Sequence, residues 1–418
     1  MLWVMERMAP TETTAADNWR GATATQAVMA ALGAGDGQAR FVGGCVRNTV
    51  MELPVTDIDI ATVHAPEETI RRLESAGIAA KPTGLSHGTI TAFLEECSFE
   101  ITTLRRDVET DGRHAVVAFT DKWSEDAARR DFTMNALFMD VKGVILDPMN
   151  GRQDALDGKV RFVGDPGRRI REDALRILRF FRFQAQYGRQ PLDPDGLDAC
   201  RRDAESQTKL SGERIQAELM KLLQAKGAVQ VIRSMAEANI LFSLFQRDLD
   251  VMALERLVSL EASTGIDQPG GLRRLATIFD PIDDAIIDRL RFSNVDRARL
   301  QAMSTDSVDP SATDSDLKVW CYKLGEARFV DALLLTAARE HAGLDKVHGA
   351  LNIVRTWNAS TFPLRGADLI KLGLVPGAQV GRILAKIEED WIADGMRGDH
   401  DTCLAWARLE IEQDRNPS

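Results

Sequence analysis

The sequence has few of the residue types on which several protein classes depend. Its five cysteines are odd in number, widely spaced and without a Cys-x-x-Cys pair, and its six histidines are equally scattered. This pattern excludes a disulfide framework and a zinc site of the cysteine type. It favours a reducing compartment, which we expect to be the cytoplasm.

Long hydrophobic runs and an excess of positive charge are also missing. No apolar stretch approaches the roughly 18 residues that cross a bilayer, and the N-terminal segment does not read as a secretory signal. We therefore expect no membrane partner. The chain of 418 residues has a net charge of −11, which excludes a uniformly basic nucleic-acid coat. The length predicts about two to four domains.

The basic residues that are present concentrate in one segment. Residues 159–189 contain nine lysines and arginines against three acidic residues. In an acidic protein, such a local concentration indicates a defined site for a polyanion rather than general adhesion to nucleic acid.

The most informative stretch is residues 41–61, FVGGCVRNTVMELPVTDIDIA. It predicts a short strand, a tight turn at Gly43 and Gly44, and then a short helix that contains Arg47. The free N–H groups at the start of such a helix would face an anion such as a phosphate. A Gly-Gly pair alone is typical of a bend, so its meaning depends on the residues that come after it in the chain.

Two carboxylates lie on a second predicted strand. Asp57 and Asp59 are two residues apart, so they share one face of that strand and can share one or two hard cations. An Asp-x-Asp pair is otherwise typical of a solvated face. Glu100, on a later predicted strand, is a third carboxylate for a two-metal site, although a solvent-facing position on the sheet fits it equally well. The order of these features favours the handling of a nucleoside triphosphate.

The remaining periodicity predicts an α+β protein. Predicted strands and helices in the N-terminal part are followed by helices alone in the rest of the chain, and the charged stretch 105–120 predicts a mobile loop over the site. The predicted boundaries are a loosely held lead-in at 1–25, a domain of strands and helices at 26–165, a helical segment at 166–225, and a further helical region at 226–418.

Within the predicted helical segment at 166–225, charged residues form a row at intervals of three: Asp173, Arg176, Arg179 and Arg182. A carboxylate beside a guanidinium matches the edge of a base, and arginine also binds phosphate bidentately. Such a row is otherwise typical of a surface helix with salt bridges. Its position directly after a nucleotide-handling domain favours nucleotide binding.

Together these motifs resemble those of the bacterial and eukaryotic type of tRNA nucleotidyltransferase, the CCA-adding enzymes, and of the related bacterial poly(A) polymerases. In chain order they are GGCVRN followed by DID, RRDFTMNA at 129–136, EDALRILR at 172–179, Glu213–Ile215, and a helical-hairpin segment at 366–384. The resemblance covers most of the chain. It implies a nucleotidyltransferase catalytic domain at 26–165 with a small mixed β-sheet and helices, an all-helical neck at 166–225, and a helical body and tail at 226–418 that bind tRNA. Asn48 stands where the family usually has aspartate, and its amide oxygen can still accept a hydrogen bond from Arg47.

The resemblance implies a role for each candidate residue. Asp57 and Asp59 would hold Mg²⁺, and Glu100 would be the third catalytic carboxylate. The nucleotide-binding residues would be Gly43, Gly44, Arg47 and Arg130 toward the triphosphate, Asp173 and Arg176 toward the base, and Arg179 and Arg182 in support.

The implied function is template-independent addition of CCA to the 3′ end of tRNA from CTP and ATP, with release of pyrophosphate and without a protein partner. One alternative is a poly(A) polymerase or an enzyme that adds only part of CCA; the full-length charged stretch at 105–120 opposes the partial reaction. A second alternative is an inactive RNA-binding protein on the same scaffold. The intact Asp57 and Asp59 oppose it, because a binding protein has no use for carboxylates beside a polyanion.

Overall fold

The computed structural model describes residues 5–6, 18–85, 88–110, 115–266, 270–357 and 361–415. The chain divides into two compact units. The first comprises residues 1–251, 269–279 and 283–293, and the second comprises residues 252–268, 280–282 and 294–418. Across the described ranges, no helix has the length and apolar character needed to cross a membrane.

The β-structure lies in the first unit. Its strands are β1 (Met5–Glu6), β2 (Ala39–Val42), β3 (Ile58–Thr62), β4 (Ala79–Gly84), β5 (Thr89–Leu94), β6 (Cys97–Thr103), β7 (Arg105–Thr110), β8 (Ala115–Phe119), β9 (Phe138–Met139) and β10 (Ile145–Leu146). Eight of them form one sheet in the order β1-β10-β9-β2-β3-β6-β5-β4, and β7 pairs with β8. The sheet is mixed, because β3 and β6 run parallel while the other neighbours are antiparallel.

Helices cover the sheet and continue beyond it in the first unit. They are α1 (Asn18–Gly21), α2 (Thr23–Ala31), α3 (Gly44–Val50), α4 (Pro66–Ser75), α5 (Trp123–Ala128), α6 (Gly151–Asp157), α7 (Pro166–Glu172), α8 (Leu175–Tyr187), α9 (Pro194–Arg202), α10 (Gly212–Gln224), α11 (Ala228–Glu237) and α12 (Phe242–Phe245). The apolar residues of α8 recur on one side, so Leu178 and Phe181 are buried. That burial fixes which side of α8 its arginines occupy.

The second unit is helical throughout the residues that are described. After α13 (Val251–Ser263), the chain forms α14 (Gly271–Ile278) and α15 (Asp284–Leu290) in the first unit, then α16 (Asn294–Thr305), α17 (Asp314–Leu324), α18 (Glu326–Glu340), α19 (Leu344–Thr356), α20 (Gly366–Lys371), α21 (Ala378–Ala393) and α22 (His400–Arg415) in the second. One apolar core of this unit includes Phe329 and Leu351, and another surrounds Trp391.

Two expectations differ from this architecture. The stretch 105–120 is not a loop where it is described: β7 and β8 pair with each other, with Arg105 opposite Phe119. The sequence of β7 is mostly charged, so it did not indicate a strand. The sequence of β8, AVVAF, is rich in strand-forming residues. In the lead-in, β1 pairs with β10, and α1 with the start of α2 lies at residues 18–25.

Candidate active site

The three predicted carboxylates lie on two neighbouring parallel strands. Asp57 directly precedes β3, Asp59 lies within it, and the register of β3 against β6 places Asp59 opposite Glu100. Paired residues of adjacent strands project from the same face of a sheet. Asp57 and Glu100 are exposed and Asp59 is half-buried. Asp59 and Glu100 therefore share one face of the sheet, and Asp57 lies near enough to Asp59 to affect its pKa.

The electrostatics of Asp59 reflect this crowding of negative charge. The pKa of its carboxyl is raised to about 6, because burial and the nearby Glu100 and Asp57 together outweigh the opposing effects of Arg130 and Arg47. A cation bound here would relieve that repulsion.

The donor set fits a hard divalent cation. Among the described residues, no three acidic, histidine or cysteine side chains are already gathered closely enough to hold a metal ion. Mg²⁺ in particular is usually bound by one or two carboxylates together with substrate phosphates, rather than by a complete protein cage. Asp57 and Asp59 provide such a pair.

The Gly-Gly turn lies directly beside these carboxylates. Gly43 has φ +69° and ψ −118°, a conformation that favours glycine, and it directly precedes α3. A Cβ atom at Gly43 would lie 3.5 Å from Arg130 Nη1 and 3.9 Å from Asp59 Oδ2, and one at Gly44 would lie 3.8 Å from Arg47 Nη2. The absence of side chains here brings the backbone close to one carboxylate and two guanidinium groups.

Arg47 is buried behind this turn. Its Nη1 donates to Asn135 Oδ1 at 2.7 Å, and its Nη2 donates to Asn48 Oδ1 and to the Tyr187 hydroxyl, both at 2.8 Å. Asn48 thus accepts from Arg47, as its amide chemistry predicted. The guanidinium is committed to protein acceptors, so a direct contact of Arg47 with the triphosphate stays a prediction.

Arg130 is held in place by the buried Asp126. Its Nε and Nη2 donate to Asp126 Oδ2 at 3.0 and 2.8 Å, which leaves Nη1 beside Gly43. Burial would raise the pKa of Asp126, but Arg130 and Arg129 outweigh that effect and lower the pKa. The carboxylate therefore remains ionised and fixes one edge of the Arg130 guanidinium, as an oriented donor at the turn requires.

Asp131 connects the sheet domain to the neck, a role that the sequence analysis did not assign. Its Oδ2 accepts from Arg179 Nε at 2.9 Å and Nη2 at 2.6 Å, and its Oδ1 accepts from Asn135 Nδ2 at 3.0 Å. Although burial favours the neutral acid, Arg179 and Asn135 lower the pKa of Asp131 to about 2. The position of Asp131 within RRDFTMNA could have indicated a functional role. Its partner Arg179 is 48 positions away, so local spacing could not predict the contact.

The two later arginines of the neck row contact protein groups. Arg179 Nη1 lies 3.4 Å from Glu218 Oε1, and Arg182 donates to the other Glu218 oxygen and to Gln186 Oε1. Glu218, on α10, is buried between them. Arg179 and Arg182 therefore hold α8 against α10, and their predicted support of the nucleotide stays a prediction.

Asp173 and Arg176 lie where α7 gives way to α8, and each has its own partner. Asp173 Oδ2 accepts from Arg214 Nη2 at 2.8 Å, and Arg176 Nη1 donates to Glu172 Oε2 at 2.9 Å. Asp173 is thus oriented by Arg214, and Arg176 is oriented by Glu172. The two residues are not paired with each other in these contacts. Arg214, from the short Glu213–Ile215 motif, is an orienting residue that the sequence analysis left without a role.

The chain matches known proteins along nearly its whole length. The Poly A polymerase head domain model matches residues 39–161, and a model described as a probable RNA and SrmB-binding site of polymerase A matches residues 191–251. The mitochondrial CCA tRNA nucleotidyltransferase 1 of Homo sapiens is 35% identical over 394 residues, 89% of this chain and 86% of that protein. The CCA-adding enzyme of Leuconostoc mesenteroides is 30% identical over 400 residues, 91% of this chain and 94% of that enzyme.

Solved structures agree with these relatives. The Bacillus stearothermophilus CCA-adding enzyme in complex with CTP is 25% identical with a TM-score of 0.73, covering 94% of this chain and 99% of that one. The Thermotoga maritima CCA-adding enzyme complexed with tRNA has a TM-score of 0.67 at 19% identity, covering 93% and 95%, and shares the fold. With motifs, fold and relatives in agreement over most of its length, the chain belongs to the family of CCA-adding enzymes, the CCA tRNA nucleotidyltransferases.

Proposed function

We propose that this protein adds CCA to the 3′ end of tRNA from CTP and ATP, without a nucleic-acid template and with release of pyrophosphate. The observation that carries the proposal is the Gly43–Gly44 turn beside Asp59 and Arg130, with Glu100 opposite Asp59 in the sheet. These groups provide backbone, cation-binding and anion-binding chemistry at one place, as transfer of a nucleotidyl group requires.

In this mechanism, the tRNA 3′-hydroxyl attacks the α-phosphate of the nucleotide, and the bond to pyrophosphate breaks. Asp57 and Asp59 would hold the divalent cations of the site, for which we propose Mg²⁺; such cations would supply activation of the attacking oxygen and stabilisation of the charge on the leaving side. Glu100 supplies further negative charge at the same face. Arg130, oriented by Asp126, directs its remaining donor edge at the triphosphate.

Selection of the base is assigned to the start of α8. Asp173 offers an acceptor and Arg176 a donor, and the partners Arg214 and Glu172 hold them in fixed directions. A donor–acceptor pair of this kind can match the Watson–Crick edges of cytosine and adenine. Arg179 and Arg182 support it by locking α8 against the rest of the first unit.

The decisive experiment is incorporation of labelled CTP and ATP into purified tRNAs that lack CCA, that end in C, or that end in CC, with Mg²⁺, followed by sequencing of the product ends. We expect all three substrates to finish as CCA and then to stop. Long runs of A without use of CTP would favour a poly(A) polymerase, the enzyme after which the matched head domain is named. Products that stop after CC would identify a partial enzyme.

A single variant tests the metal assignment. Asp57→Ala removes an exposed carboxylate, so the fold is unaffected and tRNA binding stays nearly intact, while nucleotide addition is abolished. No addition by the wild-type protein, combined with tight tRNA binding, would identify an inactive RNA-binding protein instead. Unaltered addition by Asp57→Ala would contradict its role as a metal ligand.

We propose the cytoplasm as the working compartment. All five cysteines are free, as expected for a protein of a reducing compartment. The relative from Homo sapiens is named as mitochondrial. Fractionation of the native cells, with the protein measured in the soluble fraction and in any organelle fraction, tests the compartment.

A further inference from the structure

The buried guanidinium of Arg47 is surrounded by acceptors that carry no charge. Among the described residues, its hydrogen bonds go to the amide oxygens of Asn48 and Asn135 and to the hydroxyl of Tyr187. A buried cation needs its donors satisfied, but neutral acceptors satisfy them without cancelling the charge. The carboxylates of Asp131 and Asp59 interact with Arg47 electrostatically, but neither is hydrogen-bonded to it among the described residues. The positive charge of Arg47 can therefore still attract an anion on the other side of the Gly43–Gly44 turn.

Tyr187 contributes to this environment in two ways, through its ring and through its hydroxyl. The Cζ atom of Arg47 lies 4.0 Å from the centroid of the Tyr187 ring, and Nη2 donates to the hydroxyl of the same side chain at 2.8 Å. The ring supplies a negative face to the guanidinium plane, and the hydroxyl fixes its rotation. Phe183, one helical turn earlier, packs against the Tyr187 ring at 5.4 Å between centroids.

Arg47 Nη2, the atom that Tyr187 holds, also lies beside Gly44 of the turn. A Cβ at Gly44 would lie 3.8 Å from Arg47 Nη2 and 4.0 Å from Asp59 Oδ2, so the missing side chain leaves this donor close to the region beside Asp59. Tyr187 is the last residue of α8, whereas Arg176 is near its start, about 16 Å away along the helix axis. Effects on the triphosphate and on the base are therefore separable.

We propose that Tyr187 is a positioning residue of the nucleotidyl-transfer site, which holds Arg47 behind the Gly43–Gly44 turn so that its charge attracts the triphosphate of CTP and ATP alike. The inference rests on the proposed CCA-adding function. It predicts that Tyr187 acts through Arg47 and on both nucleotides equally, because they share the triphosphate and differ only in the base.

The test is steady-state kinetics of the full-length enzyme carrying Tyr187→Phe or Tyr187→Leu, with CTP on tRNA that lacks CCA and with ATP on tRNA that ends in CC. For Tyr187→Phe, which keeps the ring, we expect KM for both nucleotides to rise by a similar factor of about ten, since a hydrogen bond to a charged group is lost. Tyr187→Leu should raise both KM values further. The ratio of kcat/KM between CTP and ATP should stay unchanged.

Two comparisons make the result specific. In an Arg47→Lys background, adding Tyr187→Phe should raise KM less than twofold, because the group that Tyr187 positions is already altered. Tyr322→Phe, at the chain's other tyrosine in the second unit, removes a comparable hydroxyl and should leave both KM values unchanged.

Several outcomes would overturn the inference. They are unchanged KM values in Tyr187→Phe, a change for one nucleotide alone, and a full effect that persists in the Arg47→Lys background. A lower melting temperature with normal KM in the folded fraction would leave Tyr187 a purely structural residue. A wild-type protein that incorporates neither nucleotide would instead overturn the proposed function, and this inference with it.

Discussion

Single residues of this site are defined by which neighbours face them across the sheet and between helices. Asp59 is set opposite Glu100 by strand register, and Arg130 is fixed at one edge by Asp126. Asp131 contacts two separate parts of the chain, because one of its oxygens accepts a hydrogen bond from Arg179 on α8 and the other accepts one from Asn135. Predictions at this scale concern removal of one charge with the shape of the side chain preserved.

Glu100→Gln tests whether the third carboxylate belongs to the site. We expect kcat for CMP addition to fall on the order of tenfold or more, because a neutral amide binds and orients a cation poorly. Glu96→Gln, in the exposed turn between β5 and β6, is the matched control and should behave as wild type. Equal activity of both variants would make Glu100 a solvated sheet residue.

The lowered pKa of Asp131 predicts that the free energy of unfolding depends on pH. Its pKa is lowered to about 2 in the folded protein, so the carboxylate stabilises the fold fully at pH values above about 4 and loses that contribution as the pH falls toward 2. At neutral pH the contribution is about 2 kcal/mol. The free energy of unfolding of Asp131→Asn should therefore be lower than that of wild type at pH 7.

Urea unfolding from pH 7 down to pH 3 checks this prediction. The difference between wild type and Asp131→Asn should shrink below about pH 4, whereas Asp195→Asn, an exposed position on α9, should match wild type throughout. A difference that stays constant with pH would mean that Asn135 and Arg179 do not hold an ionised Asp131.

At the scale of elements, the site depends on the turn before α3 and on the ion pairs that hold α8 against its neighbours. The β2–α3 connection turns at Gly43, and α3 brings Arg47 under the turn. Helix α8 is fastened at one end to the sheet domain through Arg179 and Asp131, and to α10 through Glu218. The turn and α8 thus belong to one contact network within the first unit.

Gly43→Ala tests the turn as an element. At φ +69° a Cβ is strained, which costs about 1–3 kcal/mol, and the added methyl would also lie 3.5 Å from Arg130 Nη1. We expect a lower melting temperature together with a rise of KM for CTP and ATP. Gly35→Ala is the control, since nothing lies within 4 Å of a Cβ there, and it should leave KM unchanged. Normal kinetics of Gly43→Ala would contradict a role of the turn in nucleotide binding.

At the scale of the whole molecule, charge decides how the enzyme meets a polyanion. A net charge of −11 means that the chain has no general attraction for RNA, and binding must depend on a limited number of basic side chains. Within the first unit, most arginines of the neck are paired with carboxylates, as Arg176 is with Glu172. Few cations therefore remain for phosphates.

The salt dependence of tRNA binding measures this directly. We expect the affinity to fall between 50 and 200 mM KCl, with a slope of log K against log salt smaller in magnitude than about five, as a few phosphate contacts imply. Filter binding with a tRNA that lacks CCA gives the slope. A slope near ten would indicate an extended basic surface, and a slope of zero would exclude phosphate contacts altogether.

The local features of this protein were determined by its sequence. The Gly43–Gly44 turn, the strand that carries Asp59, and the helical character of the chain after residue 166 all depend on neighbours within a few positions, where backbone sterics and periodicity act. Asn48 could be assigned as an acceptor for Arg47 for the same reason. The strands at 105–119 were missed because charged residues masked a strand pattern whose stability comes from pairing.

Only the tertiary structure decided which distant groups meet. Arg47 meets Tyr187 across 140 positions, Asp131 meets Arg179 across 48, and Asp173 meets Arg214 across 41. Such pairs depend on how α8 and α10 pack against the sheet domain, and packing is set by the summed burial of many apolar side chains rather than by spacing. The sequence alone therefore predicted the chemistry of the site, and the fold determined which side chains hold that chemistry in position.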